Sequence, residues 1–410
     1  MKENLNFCKE SFLTPVQPLS LSEPMAVSIV ESYLAQHYDF RRNILSGKYE
    51  YALTDNPEQG FQCLTTEVWN GIVWDFWKNA TDEIGKQYLE LFVYSSHTPE
   101  YDPIEEYLAN LPQWDGKDRV TDLFRQIPDI SDNTLKWCAT WMRSAVAHWL
   151  RKDTLHGNEA VLLLIGSQGC GKTTFCKRML PMHLRQYYLD HLNLSNKHDK
   201  EMALSSNLFV NIDEFEQIKP SQQAELKHCI TKSKVNGRPI YGRAQEDRNR
   251  YASFLATTNC RQPLKDATGS RRYIVIDVPD GKYISNDTPI DYDQLYAQLV
   301  SEVNNDNMRY WFINDEVKEI EQANAPYQQG IDIDMIVNEV VVDPNNWKDG
   351  KSKTMEEIMS EISARYPRFD SSRKQALLLG AKLRTLGFGI TKSRSGLLYN
   401  PSTVSFPRKS

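Results

Sequence analysis

One eight-residue stretch narrows what this chain can fold into more than any other. Gly166, Ser167, Gln168, Gly169, Cys170, Gly171, Lys172 and Thr173 match the pattern Gly-x-x-x-x-Gly-Lys-Ser/Thr at every position, and the apolar run 160–165 leads directly into them. An unbroken apolar run of that length is the pattern of a strand buried on both faces of a parallel sheet. Glycines at the positions that follow let backbone N–H groups turn inward around phosphate oxygens, and the chain then enters a helix with a partial positive charge at its start. The expected ligands are ATP and Mg2+. Residues 166–171, with Lys172, Thr173 and Thr174, take the phosphates; Lys172 reaches the β- and γ-phosphates and the Thr173 hydroxyl ligates the metal. The bare pattern also arises by chance as a glycine turn, and the buried strand ahead of it is the context that favours a phosphate loop.

A magnesium ion held by one hydroxyl and by phosphate oxygens needs a carboxylate at the end of a neighbouring strand. The apolar run 208–212 ends in Asp213 and Glu214. Asp213 is expected to orient the waters of the metal and Glu214 to polarise the attacking water; the alternative is an exposed acidic pair without a role. A third run, 252–257, leads to Asn259. At a strand tip this amide suits a sensor of the γ-phosphate, although Asn after a strand is also a common turn former. Arg271 and Arg272 precede a fourth run, 273–278. Either could stabilise the charge of the transferred phosphoryl group from a neighbouring subunit, or the two could be a solvated pair. A finger acting in trans requires an oligomer.

Between the acidic strand and Asn259, residues 232–243 carry Lys232, Lys234, Arg238, Tyr241 and Arg243 around the pair Asn236-Gly237. Asn-Gly is a hairpin signal. Basic residues with an interleaved tyrosine suit DNA phosphates and base stacking. Arg248 and Arg250 extend the charge. A solvated loop is the plainer alternative.

The remaining organisation follows from patterning. Residues 1–25 read as a tail or linker with three prolines, and 26–158 as a helical N-terminal domain, clearest at 134–150, where apolar residues recur at three- and four-residue spacing. Strands alternating with helix-compatible stretches make 159–288 an α/β core. Residues 289–350 read as a helical lid or linker. Residues 351–410 hold twelve Lys or Arg against four acids, and read as two helices (355–364 and 373–386) followed by a hairpin turning at 393–396. Helix, helix and basic hairpin are the outline of a winged helix. The formal net charge of −6 argues against uniform coating by nucleic acid. Seven scattered cysteines, with no CxxC pair, read as reduced thiols of a cytoplasmic protein. No apolar run reaches the about 18 residues of a membrane helix, so no membrane partner is expected.

Together the motifs resemble the virulence-associated protein E family of phage and mobile-element replication proteins, grouped with superfamily 3 helicases among AAA+ ATPases. The resemblance rests on GSQGCGKTTF (166–175), NIDEF (211–215), RPIYGR (238–243), ATTN (256–259) and LKDATGSRRY (264–273), in that order, with support from 40–47, 103–120 and 352–399. It implies an α/β P-loop NTPase core of AAA+-like type with a helical N-terminal domain and a C-terminal winged-helix-like domain. It also implies an ATP-driven DNA helicase acting on single-stranded or forked DNA as a homo-oligomer, a hexamer in this family. Larger relatives carry an N-terminal primase domain; no primase activity is expected in these 410 residues, which leaves a separate primase as a partner. Two other readings stay open: a DNA-stimulated ATPase that loads replication proteins, and a DNA-binding initiator or regulator switched by ATP.

Overall fold

The structure, a computed structural model, describes residues 22–152, 158–192, 194, 196–218, 220–237, 246–264, 270–328, 336–337, 341, 352–366, 369, 372–393 and 396–400. It opens with α1 (Glu23–His37), β1 (Tyr38–Asn43), β2 (Tyr49–Leu53), β3 (Gln62–Cys63), α2 (Thr66–Asn79), α3 (Lys86–Val93) and β4 (Glu100–Tyr101). The strands form a sheet in the order β3-β2-β1-β4, antiparallel except for β1 against β4. This sheet is an unforeseen addition to the helical domain expected of 26–158, and α1 begins inside the stretch expected to be a tail. The strands are short and carry Asp39, Arg41, Arg42 and Glu50 among their aromatics, so no apolar period stands out. They gain their stability from cross-strand pairs such as Phe40 with Tyr51 and Arg42 with Tyr49. Phe40 then packs with Val30, Leu34, Trp69 and Phe76 in a core of this unit's own.

Three helices lead onward: α4 (Pro103–Ala109), α5 (Arg119–Phe124) and α6 (Asp132–Trp149). Ser131 caps α6 by accepting from the Thr134 N–H at 3.1 Å. The central layer comprises β5 (Val161–Ile165), α7 (Lys172–Arg178), β6 (Tyr188–Leu189), α8 (Lys197–Ser206), β7 (Phe209–Ile212), α9 (Pro220–Thr231), the strand pair β8 (Lys234–Gly237) and β9 (Glu246–Asn249), β10 (Ser253–Thr258), β11 (Tyr273–Asp277), α10 (Tyr292–Val303) and α11 (Asn314–Ala323). Five of these strands make an all-parallel sheet in the order β11-β5-β10-β7-β6. The chain is therefore a mixed α/β protein. Every residue of β5 is buried, and its side chains alternate between two cores: Leu162 and Leu164 toward α6, α7 and α10, and Val161, Leu163 and Ile165 toward α8 and α9.

On the first side Phe209 lies between Trp141 and Trp149, with ring centroids 5.4 and 5.5 Å away. Each indole N–H also finds a carbonyl, Trp141 on Ala160 at 2.9 Å and Trp149 on Tyr251 at 3.0 Å, so α6 is fixed to the chain entering β5 and β10. A last unit has its own core: β12 (Lys353–Thr354), α12 (Met355–Arg365), α13 (Arg373–Thr385), β13 (Gly389–Ser393) and β14 (Gly396–Asn400). Its helix, helix and hairpin lie where expected, and β12 adds a third strand beside β14. Among the described residues no helix is long and apolar enough to cross a membrane, and Cys63, Cys138, Cys170, Cys176, Cys229 and Cys260 are free thiols.

Two expectations for the basic segment need correction. Asn236 and Gly237 are not the turn; they pair with Asp247 and Glu246 as the last two rungs described of the β8–β9 ladder. The connection, 238–245, lies outside the described residues, and with it Arg238, Tyr241 and Arg243. Nor does Arg250 extend a surface charge: it is 2% exposed and has no carboxylate partner among its hydrogen bonds. Its guanidinium donates instead to the carbonyls of Ile230 (2.5 Å) and Lys232 (2.6 Å) at the end of α9, Ala252 (2.9 Å) at the start of β10, and Asn158 (3.2 Å) ahead of β5. The negative end of a helix dipole suits a buried cation that lacks a carboxylate. Burial still lowers the Arg250 group to about 10, which leaves it charged at neutral pH. Arg248 is likewise turned inward, with one guanidinium nitrogen 3.3 Å from Met202 Sδ. Replacing Arg250 with methionine strands these carbonyls, and should lower the unfolding free energy by at least about 2 kcal/mol, read as a lower urea midpoint.

Candidate functional site

All five strands of the central sheet run the same way, so the loops leaving their C-terminal ends meet along one edge, where α/β proteins place ligands. Gly166 to Gly171 leave β5 there. Gly169 and Gly171 adopt φ of 81° and 94°, in the left-handed region that only glycine enters freely. Gly166 is constrained differently, since a Cβ on it would come 2.9 Å from Cys170 Sγ and 3.0 Å from Val278 Cβ. The segment after β11 straps the loop down: Ile284 N–H donates to the Cys170 carbonyl at 3.0 Å, and Asn286 Nδ2 to the Gly171 carbonyl at 3.0 Å. Arg178 donates to Asn286 Oδ1 at 3.3 Å from below.

The loop, the start of α7 and the ends of β7 and β10 enclose a cavity of about 290 Å³. Gln168, Gly169 and Gly171 to Thr174 line one wall; Asp213, Glu214, Thr258 and Asn259 line the other. Lys172 is the buried cation among them, 7% exposed. Its ammonium donates at 2.9 Å to each of the Gly166 carbonyl, the Ser167 carbonyl and Asn259 Oδ1. Two motifs separated by most of the sheet in sequence thus meet in one hydrogen bond. Asp213 accepts from the Thr257 hydroxyl, and Glu216 from the Thr258 hydroxyl. Glu214 accepts from Gln217 Nε2 at 2.6 Å while its own backbone sits at φ 51°.

The structure therefore brings together the expected phosphate-loop residues 166–174, the expected metal ligands Thr173 and Asp213, and Glu214 and Asn259. It does not bring Arg271 and Arg272 to them. These two form a short helical turn, Ser270–Arg272, just before β11, whose first residue pairs with Val161 at the N-terminal end of β5. Five strand residues, about 16 Å, separate that edge from the cavity. Arg271 is exposed; the Nε of Arg272 is buried and has no hydrogen-bond partner among the described residues. Of the expected DNA contacts, Lys234 is exposed on β8 and Lys232 is partly exposed at the end of α9, where its carbonyl holds Arg250.

Sequence reasoning gave no role to Thr257, Thr258, Gln217 or Asn286. The hydroxyls follow from the parallel register of β10 with β7, which sets Thr257 beside Asp213 one position past the Ala256–Ile212 pair. Asn286 carried no sequence signal, because its contact depends on the path of a loop. The backbone at 214 yields a clean test. Left-handed φ is tolerated by glycine and penalised most in β-branched residues. Unfolding titrations of Glu214→Gly and Glu214→Val should differ by more than about 1 kcal/mol in favour of glycine.

The virulence-associated protein E-like domain matches residues 108–329, from the end of α4 past α11. No curated protein matches. Two solved structures are similar in outline: one titled "The A form apo structure of NrS-1 C terminal region-CTR", with 12% identity, TM-score 0.44 and coverage of 93% of this chain and 100% of that one, and a second apo structure of the same region, with 12% identity, TM-score 0.44 and coverage of 94% and 100%. With more than half of its length matched by that domain, the chain belongs to the virulence-associated protein E-like family.

Proposed function

We propose that this protein is an ATP-hydrolysing DNA helicase of the superfamily 3 type, built on an AAA+-like P-loop core and serving the replication of a phage or other mobile element. The observation that carries the reading is the shared cavity, in which the Lys172 ammonium, the Asn259 amide and the Asp213 and Glu214 carboxylates converge on one glycine-rich loop. The donor set fits Mg2+: the Thr173 hydroxyl and the Asp213 carboxylate are hard oxygen ligands exposed on facing walls. Held by Thr173 and Asp213 beside ATP, the ion would neutralise phosphate charge.

The chain's own groups do the rest. Lys172 exchanges its loop carbonyls for phosphate oxygens. Glu214 orients a water and takes its proton as the water oxygen bonds to the γ-phosphorus and the bond to the bridging β–γ oxygen breaks. Asn259, already bonded to Lys172, exchanges partners with the γ-phosphate and so reports its departure. The position of Arg271 and Arg272 at the far edge of the sheet favours a ring, a hexamer in this reading, where the arginines of one subunit face the cavity of the next. The β8–β9 arm, with Lys232 and Lys234, tracks single-stranded DNA, and the basic C-terminal unit acts as a winged helix on duplex or forked DNA. A separate primase completes the machinery.

Lys172→Ala should abolish nucleotide binding and turnover. Glu214→Gln should bind ATP while its turnover falls by at least about 100-fold, with displacement of a strand from a forked duplex lost in both. Turnover by Lys172→Ala equal to that of the parent overturns the reading; normal turnover without strand displacement favours a loader instead. The trans arrangement has its own assay. Subunits carrying Arg271→Ala and Arg272→Ala should be inactive alone but regain part of their ATP turnover when mixed with Lys172→Ala subunits, whose arginines are intact. No recovery in the mixture rules out fingers supplied in trans.

A further inference from the structure

Beneath α7 lie polar atoms that the fold leaves without partners. Asn211 is 0% exposed in β7, and among the described residues neither its Oδ1 nor its Nδ2 has a hydrogen-bond partner. The Tyr188 hydroxyl on the adjacent β6 is also buried and has no partner among the described residues. Both face the same way. Phe209 belongs to the core on the α7 side and Val210 and Ile212 to the other, so Asn211 and Asp213 share the side of Phe209. Tyr188 pairs in register with Phe209 and lies in that same core, with Cys176 of α7. On the opposite flank Leu255 pairs with Asn211, and two residues further along β10 Thr257 donates to Asp213.

Residues two apart on one strand stand about 7 Å apart at Cα, close enough for an amide and a carboxylate to meet directly or through one water. Burial, with Cys176, Asp190 and Asp213 nearby, holds the Tyr188 phenol far above its ordinary range, so it is a neutral donor. The middle of a sheet between two apolar cores is a costly place for an unpartnered amide, and leucine would fill similar space without that cost. Asp213 is the acid on the same face of the same strand.

We propose that Asn211 is a positioning residue for Asp213: its amide, backed by the Tyr188 hydroxyl, offers the carboxylate a second set of donors on the α7 side, and Asp213 turns between Thr257 and Asn211 as the phosphates and their cation bind and leave. This rests on the reading of the cavity as a Mg·ATP site. Thr257 holds the carboxylate in one orientation; Asn211 stabilises the other; neither touches the reacting atoms.

The test uses the full-length protein, with thermal unfolding and the Mg2+ concentration for half-maximal ATP turnover measured side by side. Asn211→Leu should raise Tm by about 2 °C or more while moving the Mg2+ midpoint up about tenfold. Asn211→Thr, which keeps a donor, should shift the midpoint less. Tyr188→Phe covers the case in which the leucine variant fails to fold, and should raise the midpoint with little change in Tm. A leucine variant with an unchanged Mg2+ midpoint overturns the inference, whether its Tm rises or falls, and so does an unchanged midpoint in Tyr188→Phe. Absence of turnover in the parent protein at every Mg2+ concentration is a different result, and refutes the ATP reading itself.

Discussion

A strand with no exposed residue has to be covered on both sides, and Val161–Ile165 imposes that condition on the whole chain. Its neighbours β10 and β11 supply the edges, and helices from two separate stretches of sequence supply the faces. Because all five strands are parallel, each connection must cross back over a face, which consumes α7, α8 and α9 as cover. The same condition gathers every outgoing loop at one end of the sheet. The candidate cavity is thus a product of sheet geometry before it is a product of any motif, and the motif residues act because of where the parallel ladder delivers them.

The central layer was the most legible part of the sequence, for a physical reason. Long apolar runs bounded by polar punctuation are what double-sided burial demands, so β5, β7, β10 and β11 lie within a residue or so of their expected positions. Amphipathic periodicity likewise disclosed α6, and α12 and α13 lie on the two stretches read as helices, 355–364 and 373–386. The N-terminal sheet was illegible because β1 and β2 are short and half-charged, and their stability resides in partners far along the chain. The short β6 was hidden for a similar reason: two residues carry no period. At the cavity, Lys172, Asp213, Glu214 and Asn259 are residues the sequence had singled out by their chemistry. Those that hold them in place, Thr257, Thr258, Gln217 and Asn286, are ordinary polar residues whose work depends on register and loop path. The Asn-Gly pair misled because a strong turn former can also be carried within a ladder, as Asn236 and Gly237 are opposite Asp247 and Glu246.

Lys172 shows how the pieces depend on one another. A buried ammonium needs acceptors, and it draws them from its own loop and from Asn259 at the tip of β10. That bond fixes the separation between the first and fourth strands of the sheet in chain order at the point where chemistry is proposed. Asp213 opposite is held by the Thr257 hydroxyl of that same β10 segment, and Glu214 by Gln217. One strand end therefore bears on both the cationic wall and the Asp213 carboxylate facing it.

Among the described residues, each hydrogen bond of the Arg250 guanidinium goes to a main-chain carbonyl, and its one ring contact is with Phe254. Every residue offers a carbonyl whatever its side chain, so the joint between α9, the β8–β9 arm and the sheet makes no demand on the identity of Ile230, Lys232, Ala252 or Asn158 as hydrogen-bond acceptors. Sequences around this joint can drift while the joint itself persists, provided that the arginine and the backbone path are kept. An arm mounted in this way can acquire new tip residues, and new preferences for whatever it touches, without renegotiating how it is attached.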